Sequence, residues 1–149
     1  MSSENSTITH LVLASSSPRR RELINALDFP MEIIPPTAEE GTRRNGEGPQ
    51  EFVERLSLEK TRQVNCEDSG AVVLGADTAV LLDGRILGKP SSKAQAAWML
   101  RALRGRDHTV ITGVTVLGPR SERWLSATES SEVTMRYYSD MEIARYVAS

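Results

Sequence analysis

A chain of 149 residues is long enough to bury one domain-sized core. Its hydrophobic fraction of 39% and charged fraction of 26% are those of an ordinary globular protein and exclude extensive disorder. The formal net charge of -2 lacks the basic surplus of a protein living on nucleic acid; a small basic cluster on such a chain suits a small anionic ligand better.

Residues 1–9 are polar and read as a flexible N-terminal tail without the basic start of a signal peptide. The run Leu11-Val12-Leu13-Ala14 is too short to cross a membrane and reads as a buried strand. Ser15-Ser16-Ser17-Pro18 follows at once. Serine caps a helix and proline favours its first position, so a helix is expected over residues 19–27. Residues 31–34 read as a second strand, stopped by Pro35-Pro36, and 37–48 as a polar loop. A second helix is expected from Pro49 to about Cys66, with Val53, Leu56 and Val64 on one face and Lys60 between them. Cys66 is the only cysteine, so no internal disulfide or cysteine metal cluster can form; a reducing compartment, the cytoplasm, is expected.

Ala71-Val72-Val73-Leu74 is the strongest strand signal, and apolar character resumes at residues 79–82 after Gly75-Ala76-Asp77-Thr78. Asp83-Gly84 reads as a hairpin turn, with Arg85-Ile86-Leu87 returning from it. A third helix starts after Pro90, capped by Ser91 or Ser92. Its Ala96, Met99, Leu100 and Leu103 follow helical spacing, and Gly105 stops it. Residues 109–117 read as a strand, Gly118-Pro119 as a turn, and extended structure continues from Trp124 to about Tyr138. Ser139 to Glu142 has the spacing of a capping box and opens a last helix. Strands interleaved with helices, plus a hairpin, predict an α/β domain with a mixed sheet and flanking helices.

Four places carry chemistry. Ser15-x-Ser17-Pro18-Arg19-Arg20 joins a strand end to a helix start, where backbone N–H groups, hydroxyls and guanidinium groups can hold phosphate; the alternative is a capped helix with a solvated basic turn. Asp77 interrupts an apolar run. Burying a lone carboxylate is costly, so metal binding, a charged partner or acid–base work is one explanation, and a bulge facing water is the other. Gly88-Lys89-Pro90 aims a lysine from a constrained turn, though such turns also occur without function. Lys60 lies on the buried stripe of its helix, either snorkelling to the surface or reaching into a pocket, and Glu39-Glu40 could supply a metal carboxylate or simply be solvated. His10 and His108 make no metal-ligand pair, and no Walker A motif, GxGxxG or Gly-x-Ser-x-Gly elbow is present. Trp98, Trp124, Tyr137 and Tyr138 read as core or edge residues rather than a base-stacking platform.

These residues resemble the signatures of the Maf family. Leu13-Ala14-Ser15-Ser16-Ser17-Pro18-Arg19-Arg20-Arg21-Glu22-Leu23 resembles its N-terminal motif. Leu74-Gly75-Ala76-Asp77-Thr78, Leu82-Asp83-Gly84 and Leu87-Gly88-Lys89-Pro90 resemble its central one, and residues 99–108 and 110–114 continue it. The resemblance implies a fold like that of inosine triphosphate pyrophosphatases, a twisted mixed sheet with two lobes around a nucleotide cleft. It implies a metal-dependent enzyme, using magnesium or manganese, that hydrolyses nucleoside triphosphates to the monophosphate and pyrophosphate as house-cleaning of non-standard nucleotides. A homodimer is implied; a nucleic-acid or membrane partner is not.

By the same resemblance, Asp77 is the catalytic base and a metal ligand, with Glu40 as the other acidic position. Ser15, Arg19, Arg20, Lys60, Thr78 and Lys89 hold the substrate and its phosphates, and Ser17, in the same strand-to-helix turn, is read as a further phosphate-binding residue. Thr78 after the aspartate matches members acting on dTTP and UTP, whereas members preferring 7-methyl-GTP tend to carry Ser-Asp-Gln there. Glu39 stands where the family more often has Asp. The family domain is expected, over residues 10–149, to lack its C-terminal part: a Gly-x-Pro-x-Asp-Lys-Ala-Gly-type and an Asn-Val-x-Gly-Leu-Pro-type segment. An inactive nucleotide-binding or septum-related protein is the alternative that such a shortening implies.

Overall fold

The computed structural model describes residues 7–37, 41–64, 70–119 and 123–149. In chain order the elements are β1 (His10–Ala14), α1 (Pro18–Asn25), β2 (Met31–Ile33), α2 (Pro49–Gln63), β3 (Ala71–Leu82), β4 (Arg85–Leu87), α3 (Lys93–Leu103), β5 (Asp107–Leu117), β6 (Trp124–Thr134) and α4 (Asp140–Ala148). The strands form one sheet in the order β2-β1-β3-β5-β6, with β4 paired to β3. β1 runs parallel to both β2 and β3, and β3–β4 is antiparallel, so the sheet is mixed, as an α/β chain with one tight hairpin requires. Cys66, Glu39 and Glu40 lie outside the described residues.

Two elements differ from the sequence expectation. β3 does not break at residues 75–78 but runs unbroken through Asp77. A charged residue does not interrupt strand geometry when its side chain finds a partner. β6 ends at Thr134, not near Tyr138. Tyr138 instead turns inward, 9% exposed, and its hydroxyl donates to the Leu100 carbonyl. Burial here holds the phenol above its usual pKa. Of the expected tail, Thr9 is tied to the Gly70 carbonyl by its N–H at 2.9 Å.

Contacts divide the chain into two units, one running up to Asp77 with Thr112–Thr128, the other Thr78–Ile111 with Glu129–Ser149; β3, β5 and β6 contribute residues to both. In the first, Val12, Ala14, Val64, Ala71, Val73 and Leu117 form one buried apolar cluster with Ile34 against it. Helix α2 begins at Pro49, whose fixed φ suits a first helical position, and buries Val53, Leu56, Ser57 and Thr61 along one stripe. That stripe lies unusually close to the sheet. A Cβ on Gly113 would stand 2.6 Å from the Val53 carbonyl carbon, and one on Gly75 would stand 2.5 Å from Thr61 Cγ2. The polar members of the stripe are satisfied: Ser57 Oγ donates to the Glu54 carbonyl at 2.7 Å and lies 2.6 Å from Thr115 Oγ1, which in turn lies 2.7 Å from Ser126 Oγ.

The loop entering α2 is pinned by a buried ion pair. Arg55 grips Glu47 with two charge-assisted bonds, Nε to Oε2 at 2.7 Å and Nη2 to Oε1 at 2.8 Å, and also donates to the Thr42 carbonyl at 3.0 Å. Arg43 Nε bonds the Glu47 carbonyl at 2.6 Å. The Arg55 bonds, helped by the Arg44 backbone N–H, hold the Glu47 carboxyl down at about 2, from an ordinary 4.5.

In the second unit, Asp83 and Gly84 both take positive φ, 51° and 75°, which makes the two-residue β3–β4 hairpin turn. Helices α3 and α4 pack together. Arg104 Nη1 bonds the Tyr138 carbonyl at 3.1 Å and Asp140 Oδ1 at 2.9 Å, holding the Asp140 carboxyl below its usual pKa. Ser139 and Glu142 close the expected capping box of α4.

Two predictions follow from the first unit. Gly113→Ala forces the added methyl against α2 backbone and should lower unfolding free energy by about 1–3 kcal/mol, read by urea denaturation. For Glu47, the carboxyl titrates lower in the folded chain than unfolded, so its contribution is full above 4.5 and fades as pH falls from there towards about 2. Glu47→Gln should therefore melt below the wild type near neutral pH, with the gap closing across that acidic window in a pH series of thermal melts.

Candidate functional site

Parallel pairing of β1 with β3 sets Ala14 beside Gly75, so the two strands end their paired stretch side by side. Carboxyl ends of parallel strands are where α/β sheets commonly hold ligands. From β1 the chain passes through Ser15 into α1. Ser15 is buried and its Oγ accepts the Ser17 N–H at 3.0 Å, a local turn that aims the start of α1. Ser17 is the N-cap residue; its Oγ accepts the Arg20 N–H at a long 3.5 Å, and Pro18 follows inside the helix. Arg19 is exposed on the first turn. Arg20 turns back, and its Nη1 donates to the Ala76 carbonyl at 2.9 Å, next to Asp77.

Asp77 is 5% exposed, which rules out the water-facing bulge. Its Oδ1 accepts a bond from Lys60 Nζ at 2.5 Å, with the lysine side chain 14% and the aspartate side chain 7% exposed. Lys60 therefore does not snorkel to the surface; α2 delivers its ammonium inward. The close seat of α2 makes that reach possible. Gly75 lies two residues before Asp77, and its missing Cβ lets the Thr61 turn of α2 settle against β3. Sequence reasoning missed Gly75 and Gly113 as a seat, and missed Arg55 and Glu47 as the clamp on the α2 entry. Only the four-residue spacing of Arg55 and Glu59, bonded at 3.1 Å, was a local signal for any of it.

Of the expected residues, the structure brings Lys60 to Asp77 and Arg20 to the neighbouring Ala76, with Ser15 and Ser17 shaping the β1–α1 turn that carries Arg20. Thr78 and Lys89 belong to the second unit, where both are exposed. Glu40 lies outside the described residues. Among the described residues no group of three or more His, Cys, Asp or Glu side chains gathers as a metal cage. At this site, among the described residues, Asp77 supplies a hard carboxylate oxygen donor. That donor set fits magnesium or manganese in the manner usual for nucleotide sites: one or two protein carboxylates, with phosphate oxygens and waters completing the shell. No helix is long and apolar enough to cross a membrane among the described residues.

A carboxylate beside two cations can attract an anionic substrate and take a proton from water. Removing one partner of a buried pair strands the other. Asp77→Ala and Lys60→Met should each destabilise by about 2–3 kcal/mol, and the double substitution should cost less than the sum. A chemical-denaturation double-mutant cycle reads the coupling, and strict additivity would show that the pair contributes nothing.

The family model for "Maf-like protein" matches residues 10–149. The chain is 44% identical over 137 residues to a dTTP/UTP pyrophosphatase of Symbiobacterium thermophilum, covering 92% of this chain and 69% of that protein. It is 45% identical over 139 residues to a dTTP/UTP pyrophosphatase of Pelotomaculum thermopropionicum, covering 93% and 72%. To one from Moorella thermoacetica it is 46% identical over 143 residues, covering 95% and 73%. Among solved structures, the Staphylococcus aureus Ham1 protein aligns at 16% identity with a TM-score of 0.49, over 83% of this chain and 70% of that one, a likeness too loose to carry an argument.

Proposed function

The chain belongs to the Maf family, and from that premise we propose that it is a nucleoside triphosphate pyrophosphatase acting on dTTP and UTP, releasing the monophosphate and pyrophosphate. The observation that carries the reading is the Lys60–Asp77 pair at 2.5 Å, beside Arg20 and the β1–α1 turn. The relatives named for dTTP and UTP support the choice of substrate, as does Thr78 directly after Asp77.

In the proposed reaction, water attacks the α-phosphorus, its oxygen forms the new P–O bond, and the bond to the bridging oxygen breaks so that pyrophosphate leaves. Asp77 accepts the proton from the attacking water. Arg19, Arg20 and Lys60 supply positive charge to the phosphate oxygens, where charge builds in the transition state. Ser15 and Ser17 shape the turn that presents these groups. The family resemblance adds Lys89 and Thr78 to the substrate-binding set and Glu40 to Asp77 as a carboxylate for magnesium or manganese. The metal, when bound, neutralises phosphate charge and polarises the reacting phosphoryl group. The same reading assigns the enzyme to the cytoplasm, which the single cysteine suits, and makes it a homodimer without nucleic-acid or membrane partners.

The test is pyrophosphate release from dTTP, UTP and 7-methyl-GTP with magnesium or manganese. Asp77→Asn keeps the shape and removes the base, so turnover should fall by at least about a hundredfold while nucleotide binding survives. Full activity in Asp77→Asn would sink the assignment of the base. A folded wild-type chain that binds nucleotide without turnover would leave a binding protein, and preference for 7-methyl-GTP would overturn the substrate choice.

A further inference from the structure

The Asp77 carboxylate is claimed twice. The proposed function asks Asp77 to ligate a divalent cation, yet the Lys60 ammonium already sits 2.5 Å from its Oδ1, with both side chains largely out of water. A dication and an ammonium compete for the lone pairs of one carboxylate and repel each other across it. Arg20 adds a second positive charge at the Ala76 carbonyl, one residue away. Two cationic side chains thus already stand on or beside this carboxylate, which disfavours the approach of a bare dication. A polyphosphate complex of the same metal is anionic and is favoured, and its phosphate oxygens offer Lys60 an alternative partner.

We propose that Lys60 is a competitor for the metal at Asp77, so that the divalent cation enters this site together with the nucleotide, whose phosphates draw the ammonium off the carboxylate. Lys60 thereby both holds Asp77 in place and guards it. The inference rests on the reading of Asp77 as a metal carboxylate.

The test is manganese binding to the nucleotide-free chain, followed by the electron paramagnetic resonance signal of the free ion. Without Lys60 the carboxylate is unguarded, so Lys60→Met should bind manganese about tenfold or more tighter than wild type, although it hydrolyses nucleotide worse. Lys60→Arg keeps a charged partner on Asp77 and should stay within about twofold of wild type. Lys60→Gln keeps a donor but no charge, and should shift in the same direction as Lys60→Met if that variant folds poorly. Manganese affinity that is unchanged or weaker in folded Lys60→Met and Lys60→Gln, but lost in Asp77→Asn, would overturn the competition and leave Asp77 as a ligand. A gain that persists in Lys60→Met/Asp77→Asn would mean that the cation sits elsewhere, and the metal reading of Asp77 would fall with the proposal.

Discussion

A buried carboxylate needs a counter-charge, and in this chain the counter-charge comes from a helix that must lie almost on the sheet to deliver it. Lys60 meets Asp77 because Gly75 and Gly113 have no side chain to hold α2 away. Ordinary side chains between a helix and a sheet would lift the helix, and the ammonium with it. The hydroxyl contact of Ser57 with Thr115, which Thr115 continues to Ser126, then favours one register of that seat, since a helix slipped by one residue would lose the bond between helix and sheet. Packing and polar satisfaction thus point to one position of α2, the one that places a cation on the proposed base.

Much of this was legible in the sequence where the signal is local. Ser17-Pro18 announces α1, Asp83-Gly84 announces the hairpin, and Ser139 with Glu142 announces α4, because caps and turns depend on residues a few positions apart. Asp77 stood out because charge is costly in an apolar run. The pairing of Lys60 with Asp77 was not legible from periodicity, which left snorkelling open. Which way a long side chain turns depends on what the sheet offers seventeen residues later in the chain. The continuity of β3 was hidden for the same reason: the charge looked like a break until its partner was known. Tyr138 was read as an extended residue because nothing adjacent shows that the Leu100 carbonyl awaits its hydroxyl.

The Arg55–Glu47 clamp shows a second way in which distant residues organise the first unit. Loops before helices are commonly loose, but here one guanidinium bonds a carboxylate twice and a loop carbonyl once. Its position two turns into α2 ties the approach to the helix to the same rigid element that carries Lys60. Loop and lysine therefore share a frame, and a shift of α2 would disturb both together.

The two margins of the sheet are finished differently, and each finish has the same effect on the protein's behaviour in a crowded solution. β2 offers only three residues and is followed by Pro35 and Pro36, which cannot donate to an incoming strand. β6 is eleven residues long, a length that invites a foreign strand, but its middle is Glu129-Ser130-Ser131-Glu132, exposed and short of apolar side chains. Brevity and proline mark one border and acidic and hydroxyl side chains the middle of the other, features that discourage pairing with a stray β-segment.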